Sequence, residues 1–287
     1  MRFVSFDDFR VGALRGDQVV DLGPALGDTA QLDWDERMPA VVGRYGQLRE
    51  ALERQAREGN GVPAASVRLR APLPRPRKVL SAIGNYGARL PSDSPLDVDF
   101  AFKSPESIVG PGDTVVLADL PATGFEAEAT LGVVIGREAR KVSAADALSY
   151  VSGYTALLDV MGVGLGRVGI GTFFGKSLDT LGPMGPCLVT ADELGDPQSL
   201  RLRLVVNGQT RQEFNTSEML VSVAGVLATA TSIMTLRPGN VVTVGSPNEG
   251  KTLLSNDDAV SVEIDRIGTL SVKVSDPQRR SWPAAAA

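Results

Sequence analysis

Histidine is absent from the 287 residues of this chain, and its absence excludes several kinds of catalytic site. A Ser-His-Asp triad, a Cys-His pair, a histidine-ligated zinc site and a histidine general base all require the imidazole ring. Any acid–base chemistry must therefore use carboxylates, lysine, tyrosine or water.

Cysteine pairs, membrane-spanning runs and a basic balance of charge are also missing. Cys187 is the only cysteine, which excludes an intrachain disulfide and zinc sites built on several cysteines. No apolar run approaches the length of a membrane span, and the first residues lack the pattern of a secretory signal. The net charge of −5 gives no basic footprint for nucleic acid. We therefore expect a cytoplasmic protein that binds neither membranes nor nucleic acid.

The apolar pattern predicts an α+β protein that is rich in strands. Residues 1–23 alternate as short antiparallel strands, and residues 36–58 and 217–234 have helical spacing. A short helix begins at Ser143, and Asn207-Gly208 is a strong hairpin signal. Further predicted strands span 79–84, 114–118, 126–135, 199–206, 241–245, 259–264 and 269–274. Many short strands with few helices favour a β-rich roll or sandwich over a parallel α/β fold.

Closely spaced prolines suggest a boundary between two domains. Pro72, Pro74 and Pro76 leave no room for a helix and suit an extended connector. We expect a small N-terminal α+β domain, a proline-rich connector, a main domain and a flexible tail, over residues 1–70, 71–77, 78–274 and 275–287.

Several collinear segments of the main domain carry a resemblance to a known family. They include IGNY (83–86), AFKSPESIVGPGD (101–113), EATLGVVIG (128–136), GYTALLD (153–159) and GKSLDTLGPMGPCLVTADEL (175–194). Over residues 78–274 the chain resembles the fumarylacetoacetate hydrolase family. The resemblance implies a mixed β-sandwich roll, usually a homodimer, and a divalent metal that binds an enolisable 1,3-dicarbonyl or 2-oxo acid. The family's reactions include carbon–carbon bond hydrolysis, decarboxylation, hydration and isomerisation.

The chain departs from this family at the expected metal ligands. Of the family's three carboxylates, the first falls on Glu128, the second on Thr130 and the third on Asp159. In a second register, displaced by two residues, Glu126 and Glu128 share one strand face. Mg²⁺ or Mn²⁺ could bind to the carboxylates that remain, because Mg²⁺ often uses one or two of them with water and substrate. With one ligand missing, however, we expect no cofactor, and Glu128 could instead pair with Arg89 or Lys176.

The family's water-activating pair is also replaced. Its histidine falls on Arg89 and its glutamate partner on Ser92. Arg89 cannot act as a base because guanidinium keeps its proton, but it can bind a carboxylate or enolate. The Ser-x-Arg stretch after the aspartate becomes residues 161–163, and the TGTP turn becomes residues 244–247. These changes predict a roomier, more apolar pocket that does not activate water.

The resemblance also implies roles for the residues that remain. We expect Lys176 to polarise a carbonyl or hold an enolate, with Arg89 and Glu128 as the other catalytic residues. The expected substrate contacts are Tyr86, Lys103, Asp159, Gln212, Ser246 and Phe174. Family residues retained in the chain are Lys103, Lys176, Asp179, Gln212 and Asn215.

The glycine-rich run of residues 162–175 has two interpretations. It matches the dinucleotide fingerprint over residues 164–169, but no amphipathic helix clearly follows. We interpret the run as a flexible lid beside the pocket.

The leading functional hypothesis is a metal-independent cyclase or isomerase. Its substrate would be a large, apolar, enolisable dicarbonyl, such as a polyketide-like intermediate of secondary metabolism, because the site favours positioning over activation of water. One alternative is a Mg²⁺- or Mn²⁺-dependent carbon–carbon hydrolase or decarboxylase of acylpyruvate-type 2-oxo acids. Another is a non-catalytic binding protein. We expect a small-molecule ligand and a homodimer.

Overall fold

The computed structural model describes residues 1–87, 96–165 and 172–282. Its strands, in chain order, are β1 Arg2–Phe6, β2 Arg10–Arg15, β3 Gln18–Asp21, β4 Gly61–Pro63, β5 Leu69–Arg70, β6 Val79–Ile83, β7 Asp99–Lys103, β8 Thr114–Val116, β9 Gly124–Ile135, β10 Val151–Val163, β11 Met184–Thr190, β12 Arg201–Val206, β13 Gln209–Asn215, β14 Val241–Thr243, β15 Thr252–Leu253, β16 Ala259–Ile264 and β17 Gly268–Ser275. Its α-helices are α1 Trp34–Gly43, α2 Tyr45–Glu58, α3 Ala144–Ala147, α4 Thr172–Lys176, α5 Ala191–Leu194 and α6 Val223–Ile233.

These strands form two sheets that pack face to face. The larger, 12-stranded sheet has the order β4-β3-β2-β1-β11-β10-β9-β14-β6-β7, with β5 beside β1 and β15 beside β9. The smaller, five-stranded sheet has the order β13-β12-β16-β17-β8. Strands β9, β10 and β11 contact β12, β16 and β17, and the main apolar core lies between the two sheets. The predicted β-rich α+β sandwich is confirmed.

The central pair of the larger sheet positions the acidic side chains. Strands β9 and β10 are antiparallel, and their register places Glu128 directly opposite Asp159. Directly opposed residues have Cβ atoms about 4.5–5.5 Å apart. The pairing therefore brings together two carboxylates that are well separated in the sequence.

The N-terminal segment extends the same large sheet. Strand β1 pairs with β11, with Arg2 opposite Val189, and α1 and α2 cover a second apolar core that contains Phe3, Met38 and Leu52. The sheet is continuous across the proline-rich connector, and the division into two domains stays a prediction.

Both long predicted helices differ in extent from the sequence pattern. The helix expected over 36–58 is divided at Arg44, after Gly43, a residue with low helix propensity. An added Cβ at Gly43 would lie 3.0 Å from Cβ of Pro238, so the close packing there leaves little room for a side chain. Helix α6 begins only after Ser222, whose hydroxyl accepts from the Gly225 amide and caps the helix.

The expected flexible tail is packed as far as Trp282. The Trp282 indole donates to the Leu254 carbonyl oxygen at 2.7 Å, and Arg280 pairs with Asp276 at 2.8 Å. Residues 283–287 lie outside the described residues. No helix in the described ranges is long and apolar enough to cross a bilayer.

Candidate active site

A cavity of about 200 Å³ lies beside the central strands β9 and β10. Its polar lining includes Glu126, Glu128, Asp159, Lys176, Ser246 and Lys251. Ala82 and Met161 contribute apolar surface. These residues come from distant parts of the chain, so only the fold assembles the cavity.

Two glycines help to place the lysines around this cavity. Gly175 precedes Lys176 in α4, and an added Cβ there would lie 2.3 Å from the carbonyl oxygen of Gly162. Gly250 precedes Lys251 and has a φ of +75°, and an added Cβ would lie 2.1 Å from the Arg211 carbonyl oxygen. Glycine therefore allows both close approaches.

Asp159 lies at the inner end of a charge cluster. Its Oδ1 accepts a 2.8 Å hydrogen bond from Lys103, and its Oδ2 accepts one of 2.8 Å from Lys176. The Ser81 hydroxyl also donates to Oδ2. The side chains of Lys103 and Asp159 are only 0% and 1% exposed. We call Asp159, Lys103 and Ser81 the inner end of the cluster.

Burial and charge pairing act in opposite directions on the pKa values of the inner end. Burial opposes ionisation of Asp159, but the ammonium groups of Lys103 and Lys176 outweigh it and hold the pKa of Asp159 well below its usual value. Burial lowers the pKa of Lys103, against the opposing attraction of Asp159. Asp159 is therefore ionised at neutral pH, and both of its oxygens already accept hydrogen bonds.

Glu128 forms the outer end of the cluster. Its Oε1 accepts from Lys176 at 3.0 Å, and its Oε2 accepts from the Ser246 hydroxyl at 2.8 Å. The Lys251 ammonium lies 2.7 Å from Oε2, with 24% of its side chain exposed. We call Glu128, Ser246 and Lys251 the outer end. The pairing of Glu128 with Lys176, one of the alternatives left open by the sequence, is present in the structure.

Lys176 bridges the two ends and remains protonated. Burial disfavours its ammonium form, but the carboxylates of Asp159 and Glu128 outweigh burial and raise the pKa of Lys176. Lys176 can therefore donate to a carbonyl or enolate oxygen, as the sequence suggested, but cannot serve as a base at neutral pH.

Glu126 differs from the other two carboxylates of the cavity. It lies on β9 two residues before Glu128, is half-buried and lines the cavity. Within residues 1–87, 96–165 and 172–282, no hydrogen bond or salt bridge engages its carboxylate. Its oxygens are therefore available to a ligand or a proton.

Thr130 and Gln212 hold the loop that follows β14 against β9. The Thr130 hydroxyl donates to the Gly245 carbonyl at 2.9 Å. The Gln212 side chain accepts from the Ala129 amide at 3.0 Å and donates to the Pro247 and Glu249 carbonyls at 3.0 and 3.1 Å. These bonds support the loop that carries Ser246 and Lys251.

The residues predicted to contact the substrate differ in their position relative to the cavity. Asp159 and Ser246 line the cavity, whereas Lys103 and Gln212 are buried beside it. Tyr86 is also buried and packs edge-on against Phe214, with ring centroids 5.2 Å apart. Phe174 is 59% exposed. Substrate contact by all six side chains stays a prediction.

Some of the predicted residues lie outside the described ranges, and sequence reasoning missed two residues of the charge cluster. Arg89, Ser92 and residues 166–171 of the glycine-rich run lie outside the ranges described above. Sequence reasoning missed Lys251 and Ser81. Ser81 lies just before the IGNY segment (83–86), and Lys251 lies shortly after the altered turn at 244–247. A lysine soon after the altered turn at 244–247 was the available signal for Lys251.

The carboxylates of Glu128 and Asp159 do not fit a divalent metal as they are arranged. Every oxygen of Glu128 and Asp159 already contacts a lysine ammonium group. Mg²⁺ binds carboxylate oxygens at about 2.0–2.1 Å, so an ion there would lie close to these positive charges and repel them. The described part of the chain contains no cluster of three or more histidine, cysteine, aspartate or glutamate side chains suited to a metal.

Comparisons with known proteins agree with the fold. Residues 78–275 match the model of the fumarylacetoacetate (FAA) hydrolase C-terminal family. The chain is 31% identical to maleylpyruvate hydrolase of Aquipseudomonas alcaligenes over 292 residues, covering 96% of this chain and 99% of that protein. It is 34% identical to oxaloacetate tautomerase YisK of Bacillus subtilis (strain 168) over 222 residues, covering 73% and 74%.

A solved structure extends this likeness to three dimensions. It is maleylpyruvate hydrolase from Sphingobium sp. SYK-6 in complex with manganese(II) ion and pyruvate. The TM-score is 0.86 at 32% identity, with 96% of this chain and 99% of that chain covered. These similar proteins are enzymes.

Proposed function

This chain is an enzyme of the fumarylacetoacetate hydrolase family, and we propose that it is a metal-independent isomerase or cyclase of an enolisable dicarbonyl compound. The charge cluster is the observation that carries this proposal. Lysine ammonium groups contact every oxygen of Glu128 and Asp159. Glu126 is then the carboxylate that lines the cavity and is available to accept a proton.

The proposed reaction begins with a proton transfer to Glu126. Its carboxylate removes a proton from a carbon next to a carbonyl group; the electron pair of that C–H bond forms a carbon–carbon double bond, and the π pair of the carbonyl group moves onto its oxygen. The resulting enolate oxygen accepts hydrogen bonds from Lys176 and Lys251. Donors that are already in place stabilise the developing charge without reorganising.

This enolate has two productive outcomes. Return of the proton to a different atom completes an isomerisation or tautomerisation. Attack of the enolate carbon on a second carbonyl of the same molecule closes a ring, and the proton then passes to the new alkoxide. Both routes balance without an attacking water, an oxidant or a reductant. The oxaloacetate tautomerase among the relatives supports the first route.

The described cavity suits the reactive head of a substrate. Its volume of about 200 Å³ is below the roughly 300–1,000 Å³ typical of pockets for drug-sized ligands. Phe173 and Phe174, which are 52% and 59% exposed, lie shortly before Lys176. They could cover an apolar tail that extends beyond the cavity, as in a polyketide-like intermediate of secondary metabolism.

Metal-dependent hydrolysis or decarboxylation of an acylpyruvate is the competing function. The likeness to maleylpyruvate hydrolases favours it. However, Thr130 stands at one expected ligand position, and Arg89 and Ser92 stand where the family activates water. Loss of a positioned general base typically costs about 10²–10⁴-fold in rate.

Proton exchange in deuterium oxide tests the proposed function. Oxaloacetate and acetylpyruvate would each be incubated with the protein in EDTA, and proton NMR would follow deuterium entry next to the carbonyl groups. We expect exchange above the buffer rate without release of pyruvate. Glu126→Gln should lower the enzymatic rate by about 10²–10⁴-fold.

Glu138→Gln is the matched control, because Glu138 is an exposed carboxylate that pairs with Arg237 at the surface. This variant should exchange protons like the wild type. Pyruvate release that requires Mn²⁺ and stops in EDTA would instead establish the hydrolase. An unchanged exchange rate in Glu126→Gln would remove Glu126 from the reaction.

The assembly and location of the enzyme also remain proposals. A homodimer follows from the family resemblance, and light scattering coupled to size-exclusion chromatography would test it. Fractionation of the native cells would test the cytoplasmic location.

A further inference from the structure

Lys251, like Ser81, is a member of the charge cluster for which the sequence offered no role. Its ammonium contacts Glu128 Oε2 at 2.7 Å from the cavity side, and 24% of its side chain remains exposed. Lys103, by contrast, is fully buried behind Asp159 and does not line the cavity. Lys251 is therefore a cation that a ligand can reach.

The cluster contains more positive charge than its two paired carboxylates require. The ammonium groups of Lys103, Lys176 and Lys251 face the carboxylates of Glu128 and Asp159. An ammonium has three N–H donors. Lys176 uses two of them, on Glu128 and Asp159, so one donor of Lys176 and at least one of Lys251 remain for a ligand.

The loop around Lys251 is held in place at several points. Thr130 and Gln212 anchor it through the carbonyl groups of Gly245, Pro247 and Glu249. Gly250 adds a backbone conformation that most other residues rarely adopt. This support restricts where the Lys251 ammonium can lie.

We propose that Lys251 supplies, as a built-in cation, the positive charge that a divalent ion would otherwise bring to this site. The cavity then binds a carboxylate or enolate anion directly between Lys251 and Lys176. This inference rests on the proposed function, because the enolate formed there is the anion that the two lysines hold. It narrows the substrate to an enolisable acid or a compound that ionises to an enolate.

Binding of oxalate without metal tests the inference. Oxalate carries two adjacent carboxylates and mimics the enolate of a 2-oxo acid. Isothermal titration calorimetry in EDTA should show that the wild type binds oxalate and that Lys251→Met weakens binding about tenfold or more, the size expected for one charge-assisted contact. Lys251→Arg, which keeps the charge, should retain most of the affinity.

Lys273→Met is the matched control, because Lys273 is exposed on β17, in the other sheet. It should bind oxalate like the wild type. If Lys251→Met does not fold, as judged by circular dichroism, Lys251→Gln replaces it. Oxalate binding that needs Mn²⁺, or that is equal in wild type and in the neutral variant, would overturn the inference.

Metal affinity supplies a second readout that does not depend on turnover. Free Mn²⁺ would be measured by electron paramagnetic resonance in titrations of wild type, Lys251→Ala and Lys273→Ala. Removing the ammonium frees Glu128 Oε2, so Lys251→Ala should bind Mn²⁺ about tenfold or more tightly than wild type. Equal Mn²⁺ affinities in all three proteins would contradict the proposal that Lys251 takes the place of a divalent ion.

The two proposals can fail separately. Glu126→Gln tests proton transfer and should still bind oxalate, at least as tightly as the wild type, because it removes a negative charge from the cavity lining. A protein that binds oxalate through Lys251 but exchanges no protons would keep this inference and lose the proposed reaction. Proton exchange that is unaffected by loss of Lys251 would keep the proposed reaction and remove this inference.

Discussion

The two ends of the charge cluster share Lys176 but differ in exposure. At the inner end, the side chains of Lys103 and Asp159 are closed off from water. At the outer end, Glu128 is 11% exposed and Lys251 is 24% exposed. The inner carboxylate accepts three hydrogen bonds from side chains, whereas the outer pair is partly exposed at the cavity. One network can therefore be fully buried at one end and leave charged groups accessible at the other.

The physical reason is the cost of removing charge from water. Breaking a buried ion pair leaves an uncompensated charge that cannot be hydrated, whereas a partly exposed partner can regain water. Mutations at the inner end should therefore act mainly on stability, and those at the outer end mainly on binding and activity.

The largest effect is expected for Asp159→Asn. This variant leaves Lys103 without its counterion and Lys176 with Glu128 alone. The free energy of unfolding should fall by about 3–5 kcal/mol, as measured by urea denaturation. Asp8→Asn, an exposed control, should change it little. A loss below about 1 kcal/mol at Asp159 would contradict the structural role of the inner end.

The ionised Asp159 also predicts that stability depends on pH, by an amount similar to the loss expected for Asp159→Asn. The pKa of Asp159 is lower in the folded protein than its ordinary value of 3.8. Its stabilising contribution is therefore present above about pH 4 and is lost as the pH falls toward the folded-state value. The stability gap between wild type and Asp159→Asn should stay constant from about pH 5 to 8 and shrink in stronger acid. Urea midpoints at several pH values would measure it, and a gap that widens in acid would contradict the assigned sign.

A smaller loss of stability is expected for Glu128→Gln. Lys176 keeps Asp159 as a partner, and Lys251 can turn toward water, so unfolding should become easier by only about 1–2 kcal/mol. The rate of proton exchange and the affinity for oxalate should change by a larger proportion than the free energy of unfolding. A stability loss equal to that of Asp159→Asn would remove the distinction between the two ends.

The smallest effect is expected where the outer end is supported indirectly. Gln212→Leu removes the bonds to Ala129, Pro247 and Glu249, and the buried Ala129 amide loses its partner. We expect a loss of about 1 kcal/mol together with weaker oxalate binding. Gln209→Leu, at an exposed position of the same strand, is the control. If Gln212→Leu lowers stability but leaves oxalate affinity unchanged, the loop does not depend on this residue for its position.

Much of the fold could be read from local pattern. Alternation over 199–206 and the Asn207-Gly208 signal predicted a hairpin, and both turn residues have positive φ values of 52° and 76°. The break at Arg44 was not predictable in this way, because Gly43 is packed against Pro238 from a distant segment. Periodicity reports which face of an element is apolar, not which neighbour approaches it.

The candidate site shows the same limit. The family resemblance pointed to Glu128, Asp159 and Lys176 and, in one of two registers, placed Thr130 at the position of a missing carboxylate. It assigned no role to Lys251, because a lysine in a loop has no periodic signal and its partner depends on how the loop folds. Gln212 was predicted to contact the substrate, but its hydrogen bonds are with backbone groups of β9 and of the loop after β14.

The sequence determined the absence of histidine chemistry, the β-rich class and the family, because composition, alternation and collinear motifs are properties of the chain alone. Only the tertiary structure decided which charges meet. Glu128 and Asp159 become neighbours through the register of β9 and β10, and Lys251 reaches Glu128 through a loop held by Gln212. Electrostatic interactions depend on distance and burial, and both are set when separate segments pack together.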